Sequence, residues 1–344
     1  MQKDFWSNST VAVLGAGSWG TVLAHLASKN VREVRLWARD EMLVREINAT
    51  RVNARYHPEL TLGEKVRAYS QWEKVFPSVN AGNGPDLVVW GLPSRVCREQ
   101  AKILARHLRG DEIIIHATKG VEEGSLKRIS EVLLEELPTP RVGVISGPNL
   151  SREMAKGEPA ATVIASRFDE VIDAGQKVFS SPGLRVYGLK DIIGVEWAGT
   201  LKNILAISAG ALDALGLGWN SRAMLITRGL AEMVRFGKAM GAEQDTFLGL
   251  AGIGDLLATA SSPLSRNYRV GYRMAKGEKL PAILADLGST AEGVRTTEII
   301  YAFAKERGIS MPIMEAVWRV LSGAVNVQDG LHELMVRPLE PGVA

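Results

Sequence analysis

The sequence contains few of the residues that form disulfides or bind metal ions, namely cysteine and histidine. Its single cysteine, Cys97, excludes an internal disulfide framework and a multi-cysteine metal site. Five scattered histidines supply no ligand cluster of the kind found in zinc-dependent alcohol dehydrogenases. We therefore expect no bound metal, and we expect Cys97 to pack as a small apolar residue in a reducing compartment.

Long apolar runs and blocks of like charge are also missing. No stretch reaches the ~18 apolar residues that a membrane span needs, and the first residues lack the basic and apolar parts of a signal peptide. The formal net charge of +3 comes from 41 basic and 38 acidic residues that are interleaved along the chain. This balance disfavours nucleic acid as a main partner and suits an anionic small substrate. The sequence thus predicts a soluble cytoplasmic protein without membrane insertion.

A strand, a glycine-rich turn and a helix are predicted at the start of the chain. The β-branched run at 10–14 (TVAVL) is followed by Gly15, Gly17 and Gly20 in GxGxxG spacing, and then by apolar residues at helical spacing. This order is the dinucleotide-binding fingerprint, because the glycines allow a tight turn and a close approach of the backbone to a pyrophosphate. The free N–H groups at the helix start then meet the phosphates. We therefore predict that these three glycines contact a dinucleotide cofactor.

The end of the second predicted strand, at 33–37, bears on the choice of cofactor. Arg39 and Asp40 follow it. An acidic residue near this place binds the ribose 2′-hydroxyl of NAD, whereas an arginine accommodates the 2′-phosphate of NADP. Because the arginine comes first, the sequence weakly favours NADPH, and NAD is not excluded.

Apolar strands and helices then alternate. Strands are predicted at 86–90, 112–116, 141–145, 160–165 and 184–187, and helices at 93–107, 125–137 and 169–180. This alternation predicts a parallel sheet with helices on both faces, that is, a Rossmann-type domain over residues 1–190. Ligands of such sheets lie beyond the carboxyl ends of the strands, where Lys119, Gly147 and Asn149 are found. His116 comes one residue too early, and we expect it to pack or cap its strand.

From residue 191 onwards the pattern changes to helices punctuated by glycine. It predicts an all-α substrate domain over residues 191–344, with the active site in the cleft between the two domains. Its first helix, at 194–213, is apolar almost all the way round but carries Lys202. A lysine in such a helix must be ion-paired, used in chemistry or close to a cleft. The helix alone does not choose among these three.

Six motifs in order carry a resemblance to a known family. They are GAGSWGT from Gly15, HATKGVE around Lys119, SGPN at Gly147, VEWAGTLKN at Lys202, GIGDLLATASSPLSRN from Gly252 to Asn267, and TAEGVRT around Glu292. Over essentially its whole length, the chain closely resembles the bacterial-type NAD(P)-dependent glycerol-3-phosphate dehydrogenases. It departs from the common pattern at 197–199, at Asn149 and at 259–262. These departures touch packing or neutral contacts and leave the reaction class unchanged.

The resemblance implies a role for each matching residue. Lys202 would be the catalytic lysine. Substrate contacts would come from Lys119, Gly147, Asn149, Lys202, Asp255, Ser265, Arg266 and Asn267. Cofactor contacts, besides the three glycines, would come from Ser18, Trp19, Arg39, Tyr56, Lys119, Ser151, Arg266 and Glu292.

The implied reaction is hydride transfer between a nicotinamide and C2 of a three-carbon phosphate. It interconverts dihydroxyacetone phosphate and sn-glycerol 3-phosphate, the latter for phospholipid synthesis. Lys202 would donate the proton to the substrate oxygen, which calls for a lowered lysine pKa, whereas the charge of Asp255 would raise that pKa or only orient the ammonium. Arg266, between Ser265 and Asn267, would anchor the phosphate. We also expect a homodimer.

Two other functions remain open at this stage. One is another lysine-dependent Rossmann dehydrogenase that acts on a small hydroxy acid. The other is a nucleotide-sensing module without turnover, although a buried lysine has no evident use in such a module.

Overall fold

The structure, a computed structural model, describes residues 2–77, 84–287 and 291–338. The chain divides into two compact units, Met1–Glu196 and Trp197–Ala344. Each unit is described separately below.

The first unit is built on an eight-stranded sheet. The strands of the unit are β1 (Thr10–Leu14), β2 (Glu33–Trp37), β3 (Val52–Asn53), β4 (His57–Thr61), β5 (Val66–Tyr69), β6 (Leu87–Trp90), β7 (Ile113–His116), β8 (Val142–Ser146), β9 (Ala160–Ser166) and β10 (Leu184–Leu189). The sheet has the order β10-β9-β8-β7-β6-β1-β2-β5, and β3 and β4 form a separate hairpin. Neighbouring strands of the sheet are parallel except β8 and β9. The mainly parallel Rossmann-type sheet is therefore confirmed.

Helices cover both faces of this sheet. They are α1 (Gln2–Ser7), α2 (Ser18–Ala27), α3 (Glu41–Thr50), α4 (Trp72–Val75), α5 (Cys97–Leu104), α6 (Ile129–Glu136), α7 (Ser151–Ala155) and α8 (Asp169–Phe179), with 3₁₀ turns at Ser94–Val96 and Ala105–His107. Val11 and Val13 of β1 belong to one apolar cluster, and Ala12 and Leu14 belong to the other. Because successive side chains of a strand point to opposite faces, both faces of β1 are packed.

The sixth helix starts later than the sequence predicts. A helix was expected from residue 125, but Gly124 and Leu126 adopt positive φ values of 83° and 59°. This backbone conformation interrupts a right-handed helix. The helix α6 begins only at Ile129. The side chain of Glu131 in its first turn accepts the backbone N–H of Arg128, the residue before the helix, at 2.8 Å. The helix α1 and the β3–β4 hairpin were not predicted at all.

The second unit contains helices throughout its described residues, as predicted. They are α9 (Ile192–Ala214), α10 (Trp219–Ala239), α11 (Gln244–Leu248), a π-helical turn (Leu250–Gly254), α12 (Asp255–Ala260), α13 (Arg266–Ala275), α14 (Leu280–Asp286), α15 (Glu292–Glu306), α16 (Pro312–Leu321) and α17 (Val327–Val336). The long apolar helix expected at 194–213 is α9, which begins just before the boundary between the units. In the part of the chain that the structure covers, no helix is both long and apolar enough to cross a membrane.

Two glycines bring the backbones of α9 and α13 into contact. A Cβ atom on Gly210 would lie 1.9 Å from the carbonyl oxygen of Tyr268, and one on Gly271 would lie 1.8 Å from that of Ile207. Any side chain at either position would therefore push the helices apart. This crossing fixes the start of α13, where Ser265, Arg266 and Asn267 lie, against the helix that carries Lys202.

Candidate active site

The glycine-rich turn joins β1 to α2 and leaves its middle open. Gly15 has a φ of 107°, and a Cβ atom on Gly20 would lie 1.9 Å from the carbonyl oxygen of Gly15. By contrast, a Cβ atom on Gly17 would meet nothing within 4 Å. The turn is thus tight at both ends and accessible at Gly17, directly before the first N–H groups of α2. This shape fits a bound pyrophosphate.

The unpredicted β3–β4 hairpin holds this turn. The side-chain amide of Asn53 donates to the carbonyl oxygen of Ala16 at 3.0 Å and to the hydroxyl of Thr21 at 2.8 Å. His57 Nε2 lies 2.9 Å from both the hydroxyl and the carbonyl oxygen of Ser18. Asn53 and His57 are fully buried. They are positioning residues that sequence analysis missed, although two polar residues on so short a segment were a usable signal.

The same hairpin gathers three predicted cofactor residues. The hydroxyl of Ser18 lies 2.7 Å from that of Ser151, the first residue of α7. Tyr56 is half-buried beside His57, and Arg55 stacks on its ring. Trp19, also half-buried, packs against the apolar core below the turn.

The carboxyl end of β2 lies beside the turn, because the backbone N–H of Gly15 donates to the carbonyl oxygen of Trp37 at 2.9 Å. Arg39 is exposed there. The carboxylate of Asp40 caps α3, since it accepts the N–H groups of Met42 at 2.9 Å and Leu43 at 3.3 Å. Asp40 thus already has a structural task, whereas Arg39 projects from the strand end.

The other predicted contacts of this unit follow β7 and β8. Lys119 is half-buried in the loop after β7. Gly147 follows β8 with a φ of 151°, and a Cβ atom there would lie 3.1 Å from Thr162 Cα. The amide nitrogen of Asn149 donates to the hydroxyl of Thr162 at 3.1 Å. Its amide oxygen is buried without a hydrogen-bond partner among the described residues. This oxygen is an available acceptor for a ligand hydroxyl.

A saturated ion cluster surrounds Glu196, which lies in the first turns of α9. Its carboxylate accepts Arg128 Nη1 at 2.6 Å, the backbone N–H of Ser130 at 2.8 Å, and the Ser130 hydroxyl. His116 Nε2 lies 3.1 Å away, at ion-pair distance but without hydrogen-bond alignment. Burial alone would raise the pKa of Glu196, but His116, Arg128 and Ser130 together lower it to about 2. His116 therefore packs as expected, and this cluster anchors the start of α9.

A second buried ion pair joins Lys202 of α9 to Asp255, the first residue of α12. Lys202 Nζ donates to Asp255 Oδ1, and also to the hydroxyl of Thr259 at 2.8 Å. The three residues are 4%, 2% and 7% exposed. The predicted neighbours Lys202 and Asp255 are in direct contact. Thr259, one turn along α12 from Asp255, completes the group and was not predicted.

The remaining predicted residues of the second unit lie at the starts of α13 and α15. Ser265 caps α13 by accepting the N–H of Tyr268 at 3.3 Å, and Arg266 beside it is exposed. The side-chain oxygen of Asn267 accepts the N–H of Gly293, next to Glu292, at 3.0 Å. A Cβ atom on Gly293 would lie 2.8 Å from the carbonyl oxygen of Asn203. Asn267 thus ties the two helix starts together, and Gly293 places the start of α15 against the turn of α9 that follows Lys202.

Fold and site together define a Rossmann-type dehydrogenase whose helical second unit carries a buried lysine. Comparison with known proteins makes the class specific. The family described as NAD-dependent glycerol-3-phosphate dehydrogenase matches with its N-terminal part at residues 10–172 and with its C-terminal part at residues 191–332. The chain belongs to this family.

Individual relatives cover nearly the whole chain. The glycerol-3-phosphate dehydrogenase [NAD(P)+] of Nitratidesulfovibrio vulgaris is 42% identical over 331 residues, which are 96% of this chain and 98% of the relative. That of Syntrophotalea carbinolica is 43% identical over 333 residues, with the same coverage. A crystal structure of glycerol-3-phosphate dehydrogenase from Coxiella burnetii superposes with a TM-score of 0.88 at 35% identity, covering 96% of this chain and 99% of that one.

Proposed function

We propose that the protein catalyses the NAD(P)-dependent interconversion of dihydroxyacetone phosphate and sn-glycerol 3-phosphate, with Lys202 as the proton donor to the substrate oxygen. The observation that carries the proposal is the buried group of Lys202, Asp255 and Thr259 in a chain of this family. We assign cofactor binding to residues 1–190, and substrate binding and catalysis to residues 191–344.

The residues of the first unit suit a dinucleotide. The open face at Gly17 and the N-terminus of α2 receive the pyrophosphate. When bound, the nicotinamide supplies or accepts the hydride. The proposed cofactor contacts are Gly15, Gly17, Ser18, Trp19, Gly20, Arg39, Tyr56, Lys119, Ser151, Arg266 and Glu292. The asparagine and histidine of the β3–β4 hairpin keep the turn in shape.

In the reducing direction, negative charge grows on the carbonyl oxygen of the substrate. A preorganised ammonium aimed at that oxygen stabilises the charge and delivers the proton. The carboxylate of Asp255 and the hydroxyl of Thr259 fix the position of Lys202 Nζ, and the negative charge of Asp255 stabilises the ammonium form. Asp255 therefore orients the lysine and also holds its proton until the substrate oxygen becomes basic.

The phosphate of the substrate needs its own anchor. Arg266 is exposed at the first position of α13, between Ser265 and Asn267, so that a guanidinium and the helix N-terminus can meet phosphate oxygens together. We assign Lys119, Gly147 and Asn149 as further substrate contacts. The buried amide oxygen of Asn149 is suited to a substrate hydroxyl.

A substrate panel tests the reaction. The purified protein should oxidise NADPH or NADH in the presence of dihydroxyacetone phosphate, and not with pyruvate or other keto forms of small hydroxy acids. Turnover with a keto acid and none with dihydroxyacetone phosphate would establish the hydroxy-acid dehydrogenase instead. Cofactor binding without turnover on either class of substrate would establish the sensing module.

We further propose that NADPH is preferred over NADH. Arg39 is exposed at the end of β2, whereas Asp40 is engaged in capping α3. Arg39→Ala should weaken NADPH binding more than NADH binding, measured by fluorescence titration of both cofactors. An equal effect on the two would remove this assignment.

The setting of the reaction is also part of the proposal. We propose a homodimer in the cytoplasm that supplies glycerol 3-phosphate for phospholipid synthesis. Sedimentation equilibrium tests the dimer, and a chain that sediments as a monomer at the assay concentration would refute it. Loss of phospholipid synthesis on deletion of the gene, restored by added glycerol 3-phosphate, tests the physiological role.

A further inference from the structure

The second unit contains a cavity of about 500 Å³ between α9, α10, α13, α16 and α17. Its volume falls within the range of about 300–1,000 Å³ that is typical of small-molecule sites. None of the residues proposed for catalysis, substrate binding or cofactor binding lines it. The cavity is therefore distinct from the site described above.

The walls of the cavity are mainly apolar. They are formed by aliphatic side chains of α9, α16 and α17, among them Ile207, Leu212, Ile313, Val317, Leu331 and Leu334. Such walls favour an aliphatic chain, since each buried methylene contributes about 0.8 kcal/mol.

One wall is charged. Arg228, Glu232 and Arg235 of α10 line the cavity and, at i, i+4 and i+7, share one face of the helix. The buried carboxylate of Glu232 accepts the N–H groups of Ile313 at 2.7 Å and Met314 at 3.2 Å at the start of α16. Glu232 is thus satisfied by the backbone of its neighbour helix.

Among the described residues that line the cavity, three arginines and one glutamate give a formal excess of positive charge. Arg228 and Arg235 flank the single carboxylate of Glu232, and Arg235 donates one hydrogen bond, from Nη1, to the carbonyl oxygen of Ser310. A third arginine, Arg337, also lines the cavity and lies 3.9 Å from Glu315. Because a guanidinium carries five N–H donors in a planar fork, it matches a carboxylate or a phosphate.

We propose that this cavity binds an aliphatic anion, with the chain against α16 and α17 and the head group at Arg228 and Arg235. The proposal goes beyond dehydrogenase activity, and direct binding measurements test it whether or not that activity is found. A carboxylate and a phosphate head group satisfy the same arginines, so the experiment includes both.

The test uses the full chain and calorimetric titration below the micelle concentration of each probe. Dodecanoate and dodecyl phosphate should bind saturably, and the tighter of the two identifies the preferred head group. Dodecyltrimethylammonium should bind at least about tenfold more weakly, a difference of about 1.4 kcal/mol. Equal binding of the anionic and cationic probes would refute a site selected by charge.

Variants locate the binding. Ala316→Phe places a ring in the cavity and should abolish dodecanoate binding, and Arg235→Gln should weaken it about tenfold through loss of a charge-assisted contact. The control is Lys238→Gln, an exposed cation of the same helix that does not line the cavity, which should leave binding unchanged. If Ala316→Phe lowers the melting temperature, Val320→Phe is the second filling variant.

Two results would overturn the proposal. The first is dodecanoate binding that survives both filling variants, because the ligand would then lie elsewhere. The second is no binding to the parent together with a change of sedimenting mass in the filling variants. In that case the cavity is an interface between two copies of the chain.

Discussion

Two buried glutamates, one in each unit, show how differently a carboxylate is accommodated inside this protein. Glu196 is surrounded by Arg128, Ser130 and His116, and its pKa falls to about 2 despite burial. Glu232 receives two backbone N–H groups, with Arg235 and Arg228 near it, and burial raises its pKa to about 7. At Glu196, the contacts with His116, Arg128 and Ser130 together outweigh the loss of hydration. At Glu232, the two backbone donors and the charges of Arg235 and Arg228 do not.

Asp255 is a third buried carboxylate, and it shows what the comparison means for function. Its directly bonded cation, Lys202, is the group to which we assign chemistry, whereas the cation of Glu196 has a structural task. Both pairs involve α9. The Glu196 cluster anchors the start of the helix. The Asp255 pair fixes the position of Lys202, the side chain on the same helix to which we assign chemistry.

The largest expected effect on folding comes from breaking the Glu196 cluster. Glu196→Ala removes the closer of the two carboxylates that pair with buried Arg128 and leaves only Glu131, at 3.0 Å. It also leaves the backbone N–H of Ser130 without its acceptor, so we expect a loss of about 3 kcal/mol in the free energy of unfolding. The control is Glu135→Ala, whose exposed ion pairs with Arg98 and Lys127 should contribute less than about 1 kcal/mol. Urea denaturation of both variants measures the difference, and similar losses would contradict the distinction.

The stability of the folded protein should depend on pH through Glu232, and in the opposite direction to its dependence through Glu196. Because its pKa is about 7 in the folded protein and 4.5 otherwise, the folded state binds the extra proton between these values. This stabilisation is complete below pH 4.5 and is lost as the pH rises to 7, in all about 3 kcal/mol. Glu232→Gln should remove this part of the pH profile.

Urea denaturation at pH 5 and pH 8 measures the contribution of Glu232. The free energy of unfolding should fall between these pH values by more in the parent than in Glu232→Gln. An unchanged profile would show that Glu232 does not titrate in this range. For Glu196 the sign is reversed, because its pKa is lowered: its contribution is complete above pH 4.5 and is lost as the pH falls to 2.

Asp255→Asn should separate orientation from charge. The amide keeps the shape of the side chain but removes the charge that holds Lys202, so we expect kcat to fall about 100-fold. The affinity for the cofactor should change little. Steady-state kinetics with dihydroxyacetone phosphate, with the pH optimum as a second readout, tests this, and a parent-like kcat would show that the carboxylate is dispensable.

Thr259→Val should have a smaller effect. It removes one hydrogen bond to a charged group, worth about 1.5 kcal/mol, and kcat should fall about tenfold. Thr259→Ser retains the hydroxyl and should restore most of the rate. If valine and serine variants had equal rates, the hydroxyl would have no part in holding Lys202.

The sequence predicted those elements of the fold that depend only on the local spacing of apolar and polar residues. The strand Thr10–Leu14 was placed correctly, because a continuous β-branched and apolar run indicates a buried parallel strand. Glu33–Trp37 was also placed correctly, although its run is interrupted by Arg35. The long helix carrying Lys202 was found because its segment is apolar almost all the way round a helix, which indicates a buried helix. Cys97, which is buried with its thiol pKa raised to about 12 by burial, packs as predicted.

What pattern alone could not predict depends on contacts between distant segments. Asn53 and His57 lie on a hairpin too short for a period-2 signal, and only the folded chain shows that they bond to the glycine turn. Thr259 contacts a lysine from another helix, and no spacing along the chain encodes that distance. The helix alone left three choices for Lys202, and only the resemblance placed Asp255 beside it. The structure shows that ion pair directly.

The central claim is that Lys202 delivers the proton, and one paired measurement tests it most directly. Lys202→Ala should lower kcat for the reduction of dihydroxyacetone phosphate by at least about 10³-fold, since it removes both the acid and the charge that stabilises the oxygen. The dissociation constant for NADPH, measured on the same preparation, should stay within about twofold of the parent, because the proposed cofactor contacts remain. Equal turnover in variant and parent would contradict the claim.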